Sequence, residues 1–151
     1  MNLPDQDNVI RHVPWARLLR DEDGNILGFL PQAFAIRPIE ESQQNSISVN
    51  WLEYFDGDHA TRTKKLIQQF RTVKSIGGKS AFGIGNVGNI KEICKKNGAL
   101  VKIVYAPTDG NLSHSAIRRL PKDDLSLLTA LATVGFCELV RNADIEEAQN
   151  E

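Results

Sequence analysis

The sequence predicts an α+β domain with a mainly antiparallel sheet packed by two or three helices. The first observation is that β-branched or alternating segments, separated by Pro, Gly and Asp, fill the first 55 residues. The second is that apolar residues take up a helical period only after residue 58. The third is length, because 151 residues form one good core but not two. Strands that precede mixed elements favour α+β over a doubly wound sheet.

The first part of the chain is predicted to consist of strands and turns. Residues 1–8 are polar, so we expect a loose arm there. The Asp23-Gly24 pair favours a tight turn, because Gly readily adopts a positive φ. We therefore predict a hairpin over 17–30 and strands over 9–13, 33–37 and 46–55.

The second part alternates helices with strands. Asp58 is a candidate N-cap for a helix over 60–74, in which Leu66, Phe70 and Val73 share one face with Ile67. The remaining elements are predicted as helices over 87–97 and 122–141 and strands over 80–84 and 99–106. The stretch 112–120 is ambiguous between strand and helix, and we favour a strand. Residues 142–151 are polar and acidic, so we expect a second loose tail there.

The predicted core is drawn from the apolar faces of these elements. It comprises Ile26, Leu27, Ile47, Val49, Trp51, Leu66, Phe70, Val101, Ile103, Leu128 and Leu131. Cys94 and Cys137 stand among apolar residues at helical spacing, so we expect two buried thiols rather than a disulfide. Reduced thiols, no apolar run of about 20 residues and no leader-like N-terminus predict a cytoplasmic protein that does not enter the membrane.

The formal net charge of −1 conceals a strong segregation along the chain. Residues 1–60 carry four basic and ten acidic side chains, whereas residues 61–102 carry ten basic side chains against Glu92 alone. Residues 103–151 carry four basic and eight acidic side chains. A middle segment of net charge +9 therefore lies between segments of −6 and −4.

This basic segment, 61–102, is the first candidate binding surface. Clustered lysines and arginines attract phosphates because binding releases counterions. The candidate contacts are Lys64, Lys65, Arg71, Lys74, Lys91, Lys95 and Lys96. The expected partner is a nucleic acid, a nucleotide or an acidic protein surface, and the structural alternative is an ordinary solvated helix face.

Two histidines with charged neighbours are the candidates for catalysis. The proposed acid–base set is His12, Arg37, Glu53 and His114, provided that the fold brings them together. Strand alternation also predicts a ligand-facing row at Ser48 and Asn50. Each histidine has an ordinary structural role as its alternative. The spacing of His and Cys matches no metal site, and we predict neither a metal nor a cofactor.

The stretch Gly83-Ile84-Gly85-Asn86-Val87-Gly88 matches the GxGxxG pattern of dinucleotide-binding loops. Its context is poor, because the preceding strand is short and the chain has no room for a full dinucleotide fold. We therefore expect a flexible turn, with a lone anion site at the amides of Val87 to Asn89 as the remaining alternative. A P-loop ending at Ser80 is rejected, because its first glycine would fall at Val73.

Two stretches carry a resemblance to other proteins. One runs from Ala33-Phe34 through Arg37-Pro38 into Ser48-Val49-Asn50-Trp51-Leu52-Glu53, and the other from Pro107 through Asn111 to His114 and Ile117. They resemble small bacterial proteins found near mobile or defence genes. A serine-bearing strand after a histidine-bearing strand also resembles compact ADP-ribosyltransferase-like folds, although the glutamate context of those enzymes near the C-terminus is missing here.

Three functional hypotheses follow from these features. The first is a small cytoplasmic binding component of a bacterial defence or conflict system, which contacts a phosphate-bearing or acidic partner through the basic segment. The alternative is a nucleotide- or nucleic-acid-directed enzyme, ADP-ribosyltransferase-like or nuclease-like, that uses His12 and His114. The third is a structural subunit of a homo-oligomer or complex, whose acidic ends pair with the basic middle of the same chain or of another chain.

Overall fold

The computed structural model describes residues 1–37 and 45–148, and within them it confirms the α+β class. The strands are β1 Asn8–Val13, β2 Leu18–Arg20, β3 Ile26–Phe29, β4 Ile47–Trp51, β5 Ala81–Asn86, β6 Lys102–Tyr105, β7 His114–Arg118 and β8 Glu138–Arg141. The helices are α1 His59–Val73, α2 Val87–Lys96 and α3 Leu125–Ala130. Short 3-10 turns cover Pro31–Phe34 and Leu52–Tyr54.

Six of the strands form one antiparallel sheet in the order β6-β7-β4-β1-β5-β8. β2 and β3 form a separate hairpin, as the Asp23-Gly24 turn predicts. Gly24 has a φ of +82°, the conformation for which glycine is favoured at this turn. Among the described residues, no helix is both long enough and apolar enough to span a bilayer.

Different helices cover the two faces of the large sheet. Successive side chains of a strand point to opposite faces, and β1 shows the division clearly. Its Ile10 packs with Leu66 and Ile67 of α1, whereas Val9 and Val13 belong to the larger core on the other face. That larger core is completed by α2, α3 and the hairpin. Helix α1 therefore covers its face without a second helix beside it in the described structure.

Helix α1 begins where the sequence predicts. The Oδ1 atom of Asp58 accepts a hydrogen bond from the amide of Thr61 at 2.8 Å, which satisfies one of the free amides of the first turn. Leu66 and Ile67 are fully buried, whereas Phe70 is half-buried and Val73 is exposed. The predicted apolar stripe is therefore covered by the sheet at its centre and open at its C-terminal end.

Residues 33–37 do not form the expected strand. Pro31 stands at the first position of a 3-10 turn, Pro31–Phe34, because its fixed φ suits a helical start and it has no amide to leave unpaired. Phe34 is completely buried and stacks on Phe136 with ring centroids 4.6 Å apart. This contact anchors the segment over the core rather than in the sheet.

The predicted helix over 122–141 is also wrong beyond its first half. After α3 the chain makes a π-helical turn, Leu131–Gly135, and then becomes the edge strand β8. The amide of Phe136 donates to the Leu131 carbonyl at 2.8 Å, and the Phe136 side chain turns into the core. The apolar spacing of this stretch is typical of a helix, but its second half forms a strand because it pairs with β5.

The first eight residues are packed rather than loose. Leu3 is 3% exposed, and its amide donates to the carbonyl of Ile103 in the edge strand β6. The Nε1 atom of Trp51 donates to Asp7 Oδ2 at 2.8 Å. An edge strand presents unpaired backbone groups, and the arm satisfies some of them, which its polar composition does not reveal.

The described part of the C-terminal tail is also packed. Asn142 is buried, and Arg71 of α1 donates to the carbonyl oxygens of Asn142, Ile145 and Glu146 at 2.8 to 3.0 Å. Positions 149–151 of the predicted tail lie outside the described residues. The half-buried guanidinium of Arg71 therefore helps to hold this segment against α1.

The core differs from its prediction at a few positions. Leu27 is 63% exposed because it lies on the outer side of the hairpin, and Ile26, Trp51 and Phe70 are half-buried. Cys94 is buried, and burial raises the pKa of its thiol to about 11. Cys137 is exposed, because it lies in the turn that leads into β8 and not on the expected helix.

Candidate functional site

A cleft of about 740 Å³ opens on the α1 face of the sheet. Its floor is a row of side chains that crosses three strands, since Ile10 of β1 pairs with Asn50 of β4, and Asn50 pairs with His114 of β7. Its walls are the C-terminal end of α1, the segment 31–37 and the turn 108–111. The site therefore joins parts of the chain that are far apart in sequence.

The cleft forms where β1 and β4 separate. The backbone pairing between them ends at Ile10. Beyond it, the side chain of Arg11 connects the two strands by a hydrogen bond. Its Nη1 donates to the Ser48 carbonyl at 2.8 Å, and its Nε donates to the Ala33 carbonyl at 2.9 Å. Arg11 is 8% exposed, so these are buried hydrogen bonds from a charged donor. The guanidinium thus ties the 31–37 segment to the separated strands.

The described lining of the cleft is predominantly basic. Its cationic side chains are Arg11, Arg17, Arg37 and Lys74. Asp109 is the one carboxylate among the described lining residues. A concave surface on which charges of one sign predominate, with walls of low dielectric constant, concentrates ions of the opposite sign. The cleft is therefore suited to an anionic ligand.

His12 lies in this cleft as a neutral ring. It packs between Phe70 and Phe82, with centroid distances of 5.7 and 5.3 Å. Its Nε2 is buried and has no hydrogen-bond partner among the described residues. Burial lowers the pKa of His12 to about 4, and the positive charges of Lys74 and two arginines act in the same direction.

We expect the free energy of unfolding to decrease as the pH falls from 6.5 to about 4, because His12 resists protonation in the folded chain. The unfolded chain takes up this proton first, so the contribution of His12 is complete above pH 6.5 and is lost through that window. Its size is about 2 kcal/mol once solvent screening of a partly exposed ring is allowed for. Urea unfolding of the native chain and His12→Phe at about pH 7 and about pH 4.5 checks this. An identical pH dependence in both proteins would contradict it.

His114 has a defined tautomer on the floor of the cleft. Its Nδ1 lies 2.7 Å from the carbonyl oxygen of Ala106. A carbonyl oxygen only accepts hydrogen bonds, so Nδ1 carries the hydrogen and Nε2 of the neutral ring carries the lone pair. Beside it, Asn50 Nδ2 donates to Asn111 Oδ1 at 2.6 Å and to Ser113 Oγ at 2.7 Å. These contacts hold both polar side chains in fixed orientations.

The structure brings together most, but not all, of the residues predicted for catalysis and ligand contact. The cleft is lined by His12, Arg37 and His114, and by Ser48 and Asn50 of the predicted row. Glu53 does not line it. Its carboxylate accepts hydrogen bonds from the backbone and side-chain nitrogens of Asn8 at 2.6 and 2.9 Å. Glu53 therefore holds the N-terminal arm and is removed from the acid–base set.

The basic segment does not form one continuous surface. Helices α1 and α2 lie on opposite faces of the sheet, so the sheet separates Lys91, Lys95 and Lys96 from the cations of α1. Of the seven predicted contacts, Lys74 lines the cleft and the others do not. A local excess of charge in the sequence therefore becomes two distant groups in the fold.

Several cations of the segment contact other parts of the chain. Lys64 pairs with Glu146 at 2.6 Å, Lys91 pairs with Asp5 at 2.7 Å, and Lys65 donates to the Asp56 carbonyl at 2.9 Å. The side chains of the two ion pairs are partly exposed, and such pairs contribute little to stability. The acidic ends thus neutralise part of the basic middle within the same chain, which is one of the two pairings that the third hypothesis allows.

The GxGxxG stretch is not an anion site. Gly83 and Gly85 belong to β5, and the amides of Val87 and Gly88 donate to carbonyls of the N-terminal arm at 2.8 and 2.9 Å. The amide of Asn89 donates to the side chain of its own N-cap residue at 2.9 Å. All three amides of the alternative are thus occupied, and both the flexible turn and the anion site are wrong.

Two cations of the cleft, Arg11 and Arg17, were not predicted from the sequence. One signal was available. Arg11 interrupts the apolar run of the first strand, and a charged side chain that must lie in or beside a core is usually paired and positioned. The position of Asp109 beside the cleft depends on loop geometry that no local pattern predicts.

No protein-family model, no curated protein and no solved structure matches this chain.

Proposed function

We propose that the chain binds a phosphate-bearing small molecule in the cleft formed by β1, β4, β7 and the end of α1. The observation that supports this is the basic lining of a single concave site, together with two histidines and fixed polar side chains. The volume of about 740 Å³ lies within the range of small-molecule sites, roughly 300–1,000 Å³. The partner class is the one expected from sequence, but the contact surface is the cleft and not the whole segment 61–102.

The residue types suit phosphate chemistry. Guanidinium groups present several donors in a planar fork that matches the oxygens of a phosphate, and an ammonium adds a mobile point charge. Arg17, Arg37 and Lys74 are exposed residues of the cleft walls, whereas Arg11 is buried. Arg11 therefore shapes the site, and the exposed cations are the proposed contacts.

We expect the double variant Arg37→Gln with Lys74→Gln to bind inorganic pyrophosphate at least about tenfold more weakly than the native chain, a loss of about 1.4 kcal/mol. The reason is that the double variant removes two positive charges from the cleft. Glutamine keeps much of the side-chain length and can still donate hydrogen bonds. Isothermal titration calorimetry at low ionic strength measures the affinity. Native binding must also weaken when salt is raised, because the proposed attraction is screened.

The matched control is Lys95→Gln with Lys96→Gln. It makes the same change in charge on exposed side chains of α2, across the sheet from the cleft. We expect less than about a twofold change in pyrophosphate affinity for this control, because screening removes distant contributions. Equal losses in the two double variants, or no binding by the native chain, would count against a specific cleft.

The enzyme alternative remains a second candidate because His114 presents a lone pair on Nε2 in the neutral ring. Such a ring is oriented for proton transfer, as the Nδ1 contact to a backbone carbonyl fixes its tautomer. The alternative requires that a bound nucleotide is converted, and a ligand recovered unchanged would favour binding alone. A role in bacterial defence stays a prediction from the resemblance.

A further inference from the structure

A second cavity of about 300 Å³ lies beside the cleft. It is formed by Tyr54 and Phe55 after β4, by Gln69 of α1 and by four residues of the β6–β7 connection, Asp109, Gly110, Leu112 and Ser113. Asp109 lines both cavities, so they adjoin at this side chain. The second cavity has a different character, because its described lining contains Tyr54, Phe55 and Leu112 but no lysine or arginine.

Tyr54 provides a preorganised aromatic surface in this cavity. The side chain is 40% exposed, although its ring lies 6.5 Å from the rings of both Trp51 and Tyr105 and edge-on to Phe55 at 5.3 Å. Three aromatic neighbours restrict its rotation, so little further freedom is lost when a planar ligand stacks on it. Leu112, which is 53% exposed, adds aliphatic surface to the same cavity.

The side chains along the two cavities follow the order of groups in a nucleotide. The cleft provides cations for phosphates, the junction provides the carboxylate of Asp109, and the second cavity provides rings. A carboxylate accepts hydrogen bonds from hydroxyl groups, as a sugar would require. Gln69 lines the second cavity, and its Oε1 has no hydrogen-bond partner among the described residues.

We infer that the ligand of the cleft is a nucleotide whose base occupies the second cavity against Tyr54 and whose sugar lies at Asp109. The inference rests on the proposed binding of phosphate in the cleft and specifies the class of molecule that carries it. It selects a mononucleotide over inorganic phosphate or a phosphorylated sugar, because only a planar base makes use of the aromatic cavity.

The test compares ADP with inorganic pyrophosphate by calorimetry, since both carry two linked phosphates and differ in the nucleoside. We expect ADP, GDP, CDP or UDP to bind at least about tenfold more tightly than pyrophosphate, because stacking of a base on an aromatic ring adds to the phosphate contacts. Tyr54→Ala is expected to remove most of that advantage and to leave pyrophosphate affinity within about twofold. Tyr54→Phe keeps the ring and should keep the advantage.

Leu112→Ser is a second variant that leaves the aromatic cluster intact, and Leu27→Ser is its control at an exposed leucine that does not line the cavity. Retained pyrophosphate binding shows that each variant is folded. Equal affinity for pyrophosphate and all four nucleotides would overturn the inference but would not contradict the proposed binding of phosphate in the cleft. If nucleoside diphosphates still bind more tightly than pyrophosphate in both Tyr54→Ala and Leu112→Ser, the base lies elsewhere and the inference is also overturned. If neither pyrophosphate nor any nucleotide binds, the proposed function fails as well.

Discussion

Gly85→Ala is expected to reduce the free energy of unfolding by about 3 kcal/mol, the upper part of the range for overpacking a core. A Cβ atom at this position would lie 2.4 Å from the carbonyl oxygen of Gly135 and 2.9 Å from Ile90 Cδ1. The first neighbour is backbone of the π-helical turn, so it cannot move aside like the end of a side chain. Chemical denaturation followed by circular dichroism measures the loss.

Gly28→Ala is the matched control for this prediction. Gly28 also lies in a strand, β3, but a Cβ added there meets nothing within 4 Å. We expect a change within about 1 kcal/mol of the native value in either direction. Similar losses in the two variants would show that close packing at Gly85 is not what requires glycine.

The same geometry explains the remaining glycines of the GxGxxG stretch. A Cβ at Gly83 would lie 3.0 Å from the ring of Phe29, and one at Gly88 would lie 3.0 Å from the carbonyl oxygen of Asp5. The absence of a Cβ atom at each glycine therefore lets another part of the chain pack closely against β5 or against the start of α2. The pattern reflects close approach of protein to protein, which a sequence cannot distinguish from close approach to a phosphate.

Arg11→Met is expected to destabilise the chain by about 3 kcal/mol, because it removes a buried charged donor and the hydrogen bonds that it makes. The acceptors are the carbonyl oxygens of Ala33 and Ser48, at 2.9 and 2.8 Å. Met fills a similar length but donates no hydrogen bond, so the segment 31–37 loses its link to the separated strands. Urea unfolding measures the loss, and we also expect weaker pyrophosphate binding.

The control is Arg119→Met, which makes the same substitution at an exposed position outside the cleft. Its expected effect on the free energy of unfolding is within about 0.5 kcal/mol, as for ordinary surface changes. A loss at Arg11 no larger than the loss at Arg119 would mean that the buried guanidinium contacts contribute little.

Local patterns determined much of the fold. The Asp23-Gly24 turn, the cap at Asp58 and the apolar period of α1 are properties of short windows, and the structure has each of them. The ambiguous stretch 112–120 contains strand β7, as expected. The failures at 33–37 and beyond residue 131 share one cause, since distant aromatic and strand contacts outweigh local propensity there.

The candidate site was predicted by residue type and decided by topology. Ser48 and Asn50 were selected by strand alternation, and the histidines at 12 and 114, with Arg37, were selected as candidates for acid–base chemistry. Their meeting depends on β4 lying between β1 and β7, and no local pattern encodes that order. Glu53 was selected on the same grounds, but it lies just beyond β4 in a 3-10 turn and binds the N-terminal arm.

The sequence by itself determined the α+β class, the positions of most elements and the segregation of charge along the chain. Only the tertiary structure decided where that charge lies, because the sheet passes between α1 and α2 and divides the basic segment. The cleft combines Lys74 from that segment with arginines from the acidic first part of the chain. Charge acts through distance in space, and sequence separation measures that distance only within one element.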